Sequence, residues 1–220
     1  MSFSYDLTVA GEHSITLEGQ AGSLEAVFSV PESCSTQYAA LIGHPHSLQG
    51  GTMNNKVVTT LARVFKELRI PSLRFNFRGV GQSAGSYDEG IGESEDMLLL
   101  AKAWQNKQPD LRFIFAGFSF GSYVAYRTAA QCPQSALITI APPVHHYDYN
   151  EFQPDLASWL ILQGDADEVV PYALVKEFAQ QRATQLSMIS FSDTSHFFHG
   201  KLIELKAQLI EYLQPRVNPL

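Results

Sequence analysis

Ile114-Phe115-Ala116-Gly117-Phe118-Ser119-Phe120-Gly121-Ser122-Tyr123-Val124-Ala125-Tyr126 decides how the chain is read. The apolar run Phe113 to Ala116 predicts a strand, and the residues after Gly121 predict an apolar helix. Only a few residues separate the two. A chain that reverses this sharply from strand to helix holds its central residue in a strained conformation. The side chain of Ser119 then projects from the carboxyl edge of a sheet. Glycines two before and two after are needed where strand and helix close on each other. The helix N-terminus brings free N–H groups and a positive dipole end to the same place. A chance Gly-x-Ser-x-Gly falls in about one in fifteen chains of this length. The pentapeptide alone therefore also fits a tight turn whose serine caps the helix. The flanking strand and helix are the context the motif demands.

Length and charge narrow the rest. The chain has 220 residues, 45% of them hydrophobic, enough for one domain spanning 1–220 with a large core. Net charge is −7, and no Lys/Arg cluster stands out, which argues against a phosphate-binding surface for nucleic acid. Cys34 and Cys132 lie far apart with no CxxC, so the expectation is two buried or half-buried thiols. Met1–Asp6 has neither a basic nor an apolar signal region, and no run of about 18 apolar residues exists. The expected location is cytoplasmic, with no membrane partner.

Working outward, Ser14 to Glu18 and Leu24 to Val30 predict a hairpin across Gly19–Gly22. Strands are predicted at Tyr38–Gly43, Ser72–Phe77, Ala136–Ile140, Ser158–Leu162 and Leu186–Phe191. Helical stripes run through Val57–Leu68, Met97–Trp104, Tyr123–Gln131, Pro171–Gln181 and Leu202–Leu213. The tail from Gln214 to Leu220 shows no pattern and stands outside the core. Strands alternate with helices from residue 38 onward, the mark of a mostly parallel sheet with helices on both faces. The connection from Pro142 to Ala157 is too short for a lid domain.

Active groups of open α/β sheets gather at the carboxyl ends of the strands. After the strand ending at Leu162 come Asp165, Asp167 and Glu168. After the one ending at Phe191 come His196 and His199. Serine, then acid, then histidine is one chain order of a hydrolytic triad. A serine hydroxyl needs a histidine to take its proton, and the histidine needs a carboxylate to fix its tautomer.

Three stretches together resemble the signatures of the α/β-hydrolase superfamily: Gly117-Phe118-Ser119-Phe120-Gly121, Gly164-x-x-Asp167-x-x-Val170-Pro171 and Ser195-His196-Phe197-Phe198. Asn76-Phe77-Arg78-Gly79-Val80-Gly81-Gln82-Ser83 is similar to the family's Asp-x-Arg-Gly-x-Gly-x-Ser loop, with Asn76 in the aspartate's place. His44-Pro45-His46 stands where the family has His-Gly. The likeness covers residues 24–213 and is nearest to small carboxylesterase-like members without a lid. It implies an α/β-hydrolase fold with an eight-stranded sheet. It implies Ser119 as nucleophile, Asp167 as triad acid with Asp165 as rival and Glu168 as a poorer one, and His196 as base with His199 as rival. The oxyanion hole would use the backbone N–H of Phe120 and that of His46, with Ser47 as the alternative. Pro45 has no N–H to give.

The remaining signals read as structural. His44-x-His46 and His145-His146 lack a neighbouring carboxylate or cysteine at ligand spacing, so no metal is expected. Gly79-x-Gly81 with Gly85 misses the dinucleotide pattern by one residue and reads as a tight loop. Arg78 reads as a structural charge in that loop. Tyr147, Tyr149 and Phe152 either line a pocket or pack over the sheet edge. The resemblance implies a serine esterase, free of cofactors, cleaving esters or thioesters of small soluble acyl groups through an acyl-enzyme on Ser119. The fold also hosts peptidases, dienelactone-hydrolase-like enzymes and non-catalytic binders of small molecules.

Overall fold

The computed structural model describes residues 8–35, 37–184 and 186–217. Met1–Asp6, read above for the absence of a signal, and the last three residues of the tail lie outside them. β1 (Gly11–Gly19) and β2 (Gly22–Val30) pair antiparallel as the predicted hairpin. Then follow β3 (Tyr38–Gly43), α1 (Lys56–Glu67), β4 (Ser72–Phe75), α2 (Ile91–Gln105), β5 (Arg112–Phe118) and α3 (Phe120–Ala129). The chain closes with β6 (Ala136–Ile140), β7 (Ser158–Gly164), α4 (Tyr172–Gln180), β8 (Ser187–Phe191) and α5 (Leu202–Val217). The eight strands make one sheet in the order β1-β2-β4-β3-β5-β6-β7-β8. β2 joins β4 antiparallel, and every pairing from β4 to β8 is parallel. This is the mostly parallel eight-stranded sheet expected from the sequence.

Side chains on a strand alternate faces, and β5 shows the consequence. Phe113 and Phe115 pack with Met97 and Trp104 of α2, Val124 of α3 and Phe178 of α4. Ile114 and Ala116 pack with Leu61 and Phe65 of α1 and with Leu205 and Leu209 of α5. Helices therefore cover both faces, and each large side chain so buried stabilises the fold by roughly 1.5–3 kcal/mol. No helix among the described residues is long and apolar enough to cross a membrane. Cys34 and Cys132 are free and half-buried, as expected.

Several boundaries differ from the sequence reading, the ends of α5 and β4 among them. α5 runs through Pro215 to Val217 instead of ending at Leu213. An interior proline costs about 3 kcal/mol, but Val217 stands four residues after Leu213 and extends the buried stripe Leu205, Leu209, Leu213. β4 stops at Phe75 rather than Phe77: the Asn76 N–H still donates to the Glu25 carbonyl of β2 at 2.8 Å, but the Phe77 N–H leaves the ladder for a side chain. Asn76 Oδ1 accepts the Met53 N–H at 2.9 Å, and its Nδ2 donates to Glu25 Oε2 at 2.7 Å. The Phe77 N–H donates to His44 Nε2 at 2.9 Å.

These bonds join the loop after β3 to the loop after β4, and so hold the segment that borders the site. Asn76 is 4% exposed. Its amide suits a carboxylate on one side and an N–H on the other, which an aspartate here could not do. His44 is wholly buried, with its Nδ1–H donating to the Pro45 carbonyl at 2.7 Å. Both ring nitrogens are thus engaged by the backbone rather than free for a metal. Burial pushes its pKa down from 6.5 to about 4, against the opposing pull of the Pro45 carbonyl.

Two outcomes are expected. Asn76→Asp sets a second carboxylate against Glu25 and should cost about 2 kcal/mol, a fall of roughly 4–8 °C in melting temperature, with partial recovery in Asn76→Asp/Glu25→Gln. The same melting temperature in Asn76→Asp as in wild type would refute the pairing. His44 is neutral in the fold, while the unfolded chain takes up the proton below pH 6.5. Stability from this group is therefore present above pH 6.5 and is lost as the pH falls towards 4. In urea titrations the advantage of wild type over His44→Gln should narrow by about 2–3 kcal/mol across that window. A constant difference would contradict it.

Candidate active site

Ser119 sits between the last residue of β5 and the first of α3 with φ 54° and ψ −123°. That region is costly for a residue with a Cβ, of order 1–3 kcal/mol. Its N–H donates to the Ile140 carbonyl at 2.8 Å, and its carbonyl accepts the Ser122 N–H at 2.9 Å and the Ser122 hydroxyl at 2.6 Å. The strained residue is thus fixed from both sides. A Cβ on Gly117 would lie 2.0 Å from the Gly121 carbonyl oxygen. A Cβ on Gly121 would lie 2.4 Å from the backbone of Gly43. Neither position has room for any other residue.

The carboxyl ends of β7 and β8 deliver the partners. Ser119 Oγ and His196 Nε2 are 3.1 Å apart, and His196 Nδ1 is 2.9 Å from Asp167 Oδ2. His196 is 2% exposed, its ring 4.9 Å from that of Phe118. Asp167 Oδ1 accepts the N–H groups of Val169 at 2.9 Å and Val170 at 2.7 Å, and Oδ2 accepts Gln163 Nε2 at 3.1 Å. Burial alone would raise the Asp167 pKa. The bonds from His196 and from the Val170 and Val169 N–H groups more than offset it and hold the carboxyl below the usual range. A carboxylate facing Nδ1 keeps the proton on that nitrogen and leaves Nε2 free to accept from the Ser119 hydroxyl.

The rivals lie elsewhere. Asp165 is exposed, and its backbone N–H bonds to the Phe191 carbonyl. Glu168 Oε2 accepts the backbone N–H of His196 at 3.2 Å, which steadies the histidine without touching its ring. His199 is exposed in the turn before α5, its ring 6.0 Å from Phe197.

Ser119, Phe120 and His46 line one cavity of about 360 Å³, together with Gln49, Pro143, His146, Tyr147, Val169 and Val170. Phe120 is the first residue of α3, so its N–H has no intrahelical acceptor. The His46 N–H donates to no protein group among the described residues. Ser47 is not part of the lining. The His46 ring stands 5.2 Å from Phe120 and 4.9 Å from Tyr87, and its Nδ1 accepts the Leu48 N–H at 3.3 Å.

The aromatic loop after β6 divides. Tyr147 lines the cavity, its hydroxyl 3.4 Å from that of Tyr87. Tyr149 and Phe152 pack inward instead. The Tyr149 hydroxyl meets Ser122 Oγ at 2.8 Å, and the Tyr126 hydroxyl bonds the carbonyls of Tyr149 at 2.9 Å and Phe152 at 3.0 Å. The loop is thereby tied to α3. Arg78 is structural, as expected, but its main partner is Asp96 on α2, with Nε donating to Oδ2 at 2.9 Å; Asp88 in its own loop is 3.7 Å away. Reading the chain missed Gln163, Glu168 as a backbone acceptor, and the Ser122–Tyr149 pair. None carries a motif, and only the closeness of Gln163 to Gly164 hinted at its place.

No family model matches the chain. A relative in Rickettsia prowazekii, described as uncharacterised, is 33% identical over 209 residues, covering 90% of this chain and 87% of its own. A serine hydrolase without a lid from Xanthomonas campestris superposes with a TM-score of 0.89 at 42% identity, over 95% of this chain and 96% of its own. A serine hydrolase homologue from Coxiella burnetii gives 0.86 at 40% identity, over 96% and 100%. With relatives at 42% and 40% identity over nearly the whole chain, the chain belongs to the α/β-hydrolase superfamily, and its own sheet order and the short connection between β6 and β7 accord with that.

Proposed function

We propose that the protein is a serine esterase that cleaves carboxylic esters or thioesters of small acyl groups through an acyl-enzyme on Ser119. The observation that carries this reading is the continuous chain Ser119 Oγ, His196 Nε2, His196 Nδ1, Asp167 Oδ2, with steps of 3.1 and 2.9 Å at the edge of an open cavity. His196 takes the hydroxyl proton as Ser119 attacks the carbonyl carbon. The carbonyl oxygen becomes an oxyanion and receives the N–H groups of Phe120 and His46, each worth on the order of 3 kcal/mol in the transition state. Asp167, kept ionised by its hydrogen bonds, stabilises the imidazolium. The intermediate collapses, and His196 returns the proton to the leaving alcohol or thiol. Water then repeats the sequence: His196 removes its proton, the hydroxide attacks the acyl carbon, and Ser119 leaves with that proton as the acid departs.

The cavity supports the substrate class. Phe120, Pro143, Tyr147, Val169 and Val170 make an apolar wall, while His46, Gln49 and His146 are its polar members. No Lys, Arg, Asp or Glu is among the lining residues, which favours an uncharged acyl group. At about 360 Å³ the space is near the lower end of small-molecule sites.

Kinetics on a p-nitrophenyl ester chain-length series test the reading. Ser119→Ala and Asp167→Asn should each lower kcat about 10⁴-fold or more, and Asp165→Asn should stay within about twofold of wild type. Equal loss at Asp165 and Asp167, or an undiminished Ser119→Ala, would overturn it. Turnover should be highest with short acyl chains.

A further inference from the structure

We infer that Gln163 is a positioning residue: its amide holds the Asp167 carboxylate in place, and through it sets the proton affinity of His196. The inference rests on the roles proposed for Asp167 and His196. Gln163 is the next-to-last residue of β7 and is 0% exposed. Its Nε2 lies 3.1 Å from Asp167 Oδ2, 3.1 Å from the Val170 carbonyl oxygen and 3.3 Å from its neighbour Gly164's carbonyl oxygen. All three neighbours are acceptors. Exchanging amide oxygen and nitrogen would set an acceptor against three acceptors, so the surroundings themselves fix the orientation.

The other end of the amide is informative. Gln163 Oε1 is buried and has no donor among the described residues. A buried carbonyl without a partner is destabilising, and an apolar side chain of similar length would avoid that cost. Packing alone therefore does not account for a glutamine here. What the amide adds is a donor to the one carboxylate oxygen that also faces His196 Nδ1 at 2.9 Å. Val170 is bound at both ends of this arrangement: its N–H donates to Asp167 Oδ1 and its carbonyl accepts from Gln163. The segment from 163 to 170 is thus closed on itself around the carboxylate.

The sign of the effect follows. The Gln163 donor draws charge from Asp167 Oδ2. Without it the carboxylate is a stronger base towards His196, so the imidazolium is favoured and the histidine pKa rises. The freed carboxylate also turns more readily, which loosens the imidazole. Binding of the ester, which does not touch Gln163, is unaffected.

The test uses Gln163→Met, which keeps the length and removes the donor. In this variant kcat for a p-nitrophenyl ester should fall about tenfold with KM unchanged. The acid limb of kcat/KM, and the His196 titration followed by NMR, should both move up by about half a pH unit. Wild-type kcat and an unmoved His196 titration would overturn the inference, as would a loss of kcat with no movement of the titration, which a purely structural role predicts. Should Gln163→Met not fold, Gln163→Glu decides. Protonated, its acid O–H still donates to Asp167; ionised, it repels it. Its kcat/KM should therefore show one more ionisation than wild type, with activity declining as pH rises, and a profile parallel to wild type refutes the proposal. The NMR titration needs no substrate. Absence of ester cleavage by wild type would refute the proposed activity, while the titration would still decide the role of Gln163.

Discussion

Gly117 and Gly121 bring α3 so close to β3 and β5 that no side chain fits between them. This close approach is what the rest of the site depends on. It forces the reversal between strand and helix into one residue, and that residue takes φ 54°. A strained serine is tolerable only where its surroundings over-determine it. Here the Ile140 carbonyl holds its N–H, and the N–H and hydroxyl of Ser122 hold its carbonyl. Ser122 is in turn bonded to Tyr149, so the loop after β6 helps to hold the reversal it borders. The parallel sheet then sets β7 and β8 at the distance from which an aspartate and a histidine reach that serine.

The polar groups around this point are arranged in the same spirit. Several loops near the site are fixed by a buried side chain as well as by backbone bonds. His44 joins the loops after β3 and β4. Glu93 accepts the N–H groups of Asp88 and Gly90 and so closes the glycine-rich loop onto the start of α2. Asp167 caps Val169 and Val170 while facing His196. In each case one side chain replaces the backbone partners that an irregular segment lacks. The consequence is a set of buried ionisable groups, which ties the architecture of the site to pH.

Much of this was legible in the sequence because it rests on local rules. Gly117, Ser119 and Gly121 declare the reversal, and alternation of strand and helix declares a parallel sheet. Asp167 and His196 could be picked out because both follow predicted strand ends, and the resemblance, through the family's spacing from Gly164 to Pro171, favoured Asp167 over Asp165. The misses have physical causes. Pro215 argues for a helix end, yet α5 continues past it and buries Val217 on the same stripe. β4 reads as longer because Asn76 and Phe77 fit a strand pattern; Asn76 does keep a backbone bond to the Glu25 carbonyl, but the Phe77 N–H goes to the His44 ring. Tyr147 and Tyr149 are two residues apart and face different surroundings, one the cavity and one the core. Gln163 has no periodic or motif signal, since its role arises only when β7 and the turn after it close around one carboxylate.

The central claim is that Ser119, and no other side chain, is the nucleophile of this site. Incubation with a fluorophosphonate, followed by intact mass measurement and peptide mapping, tests it most directly. A single adduct on the peptide bearing Ser119, absent from folded Ser119→Ala, is the result predicted here. Folded wild-type protein that takes up no label, or takes it up on another residue, would contradict the account.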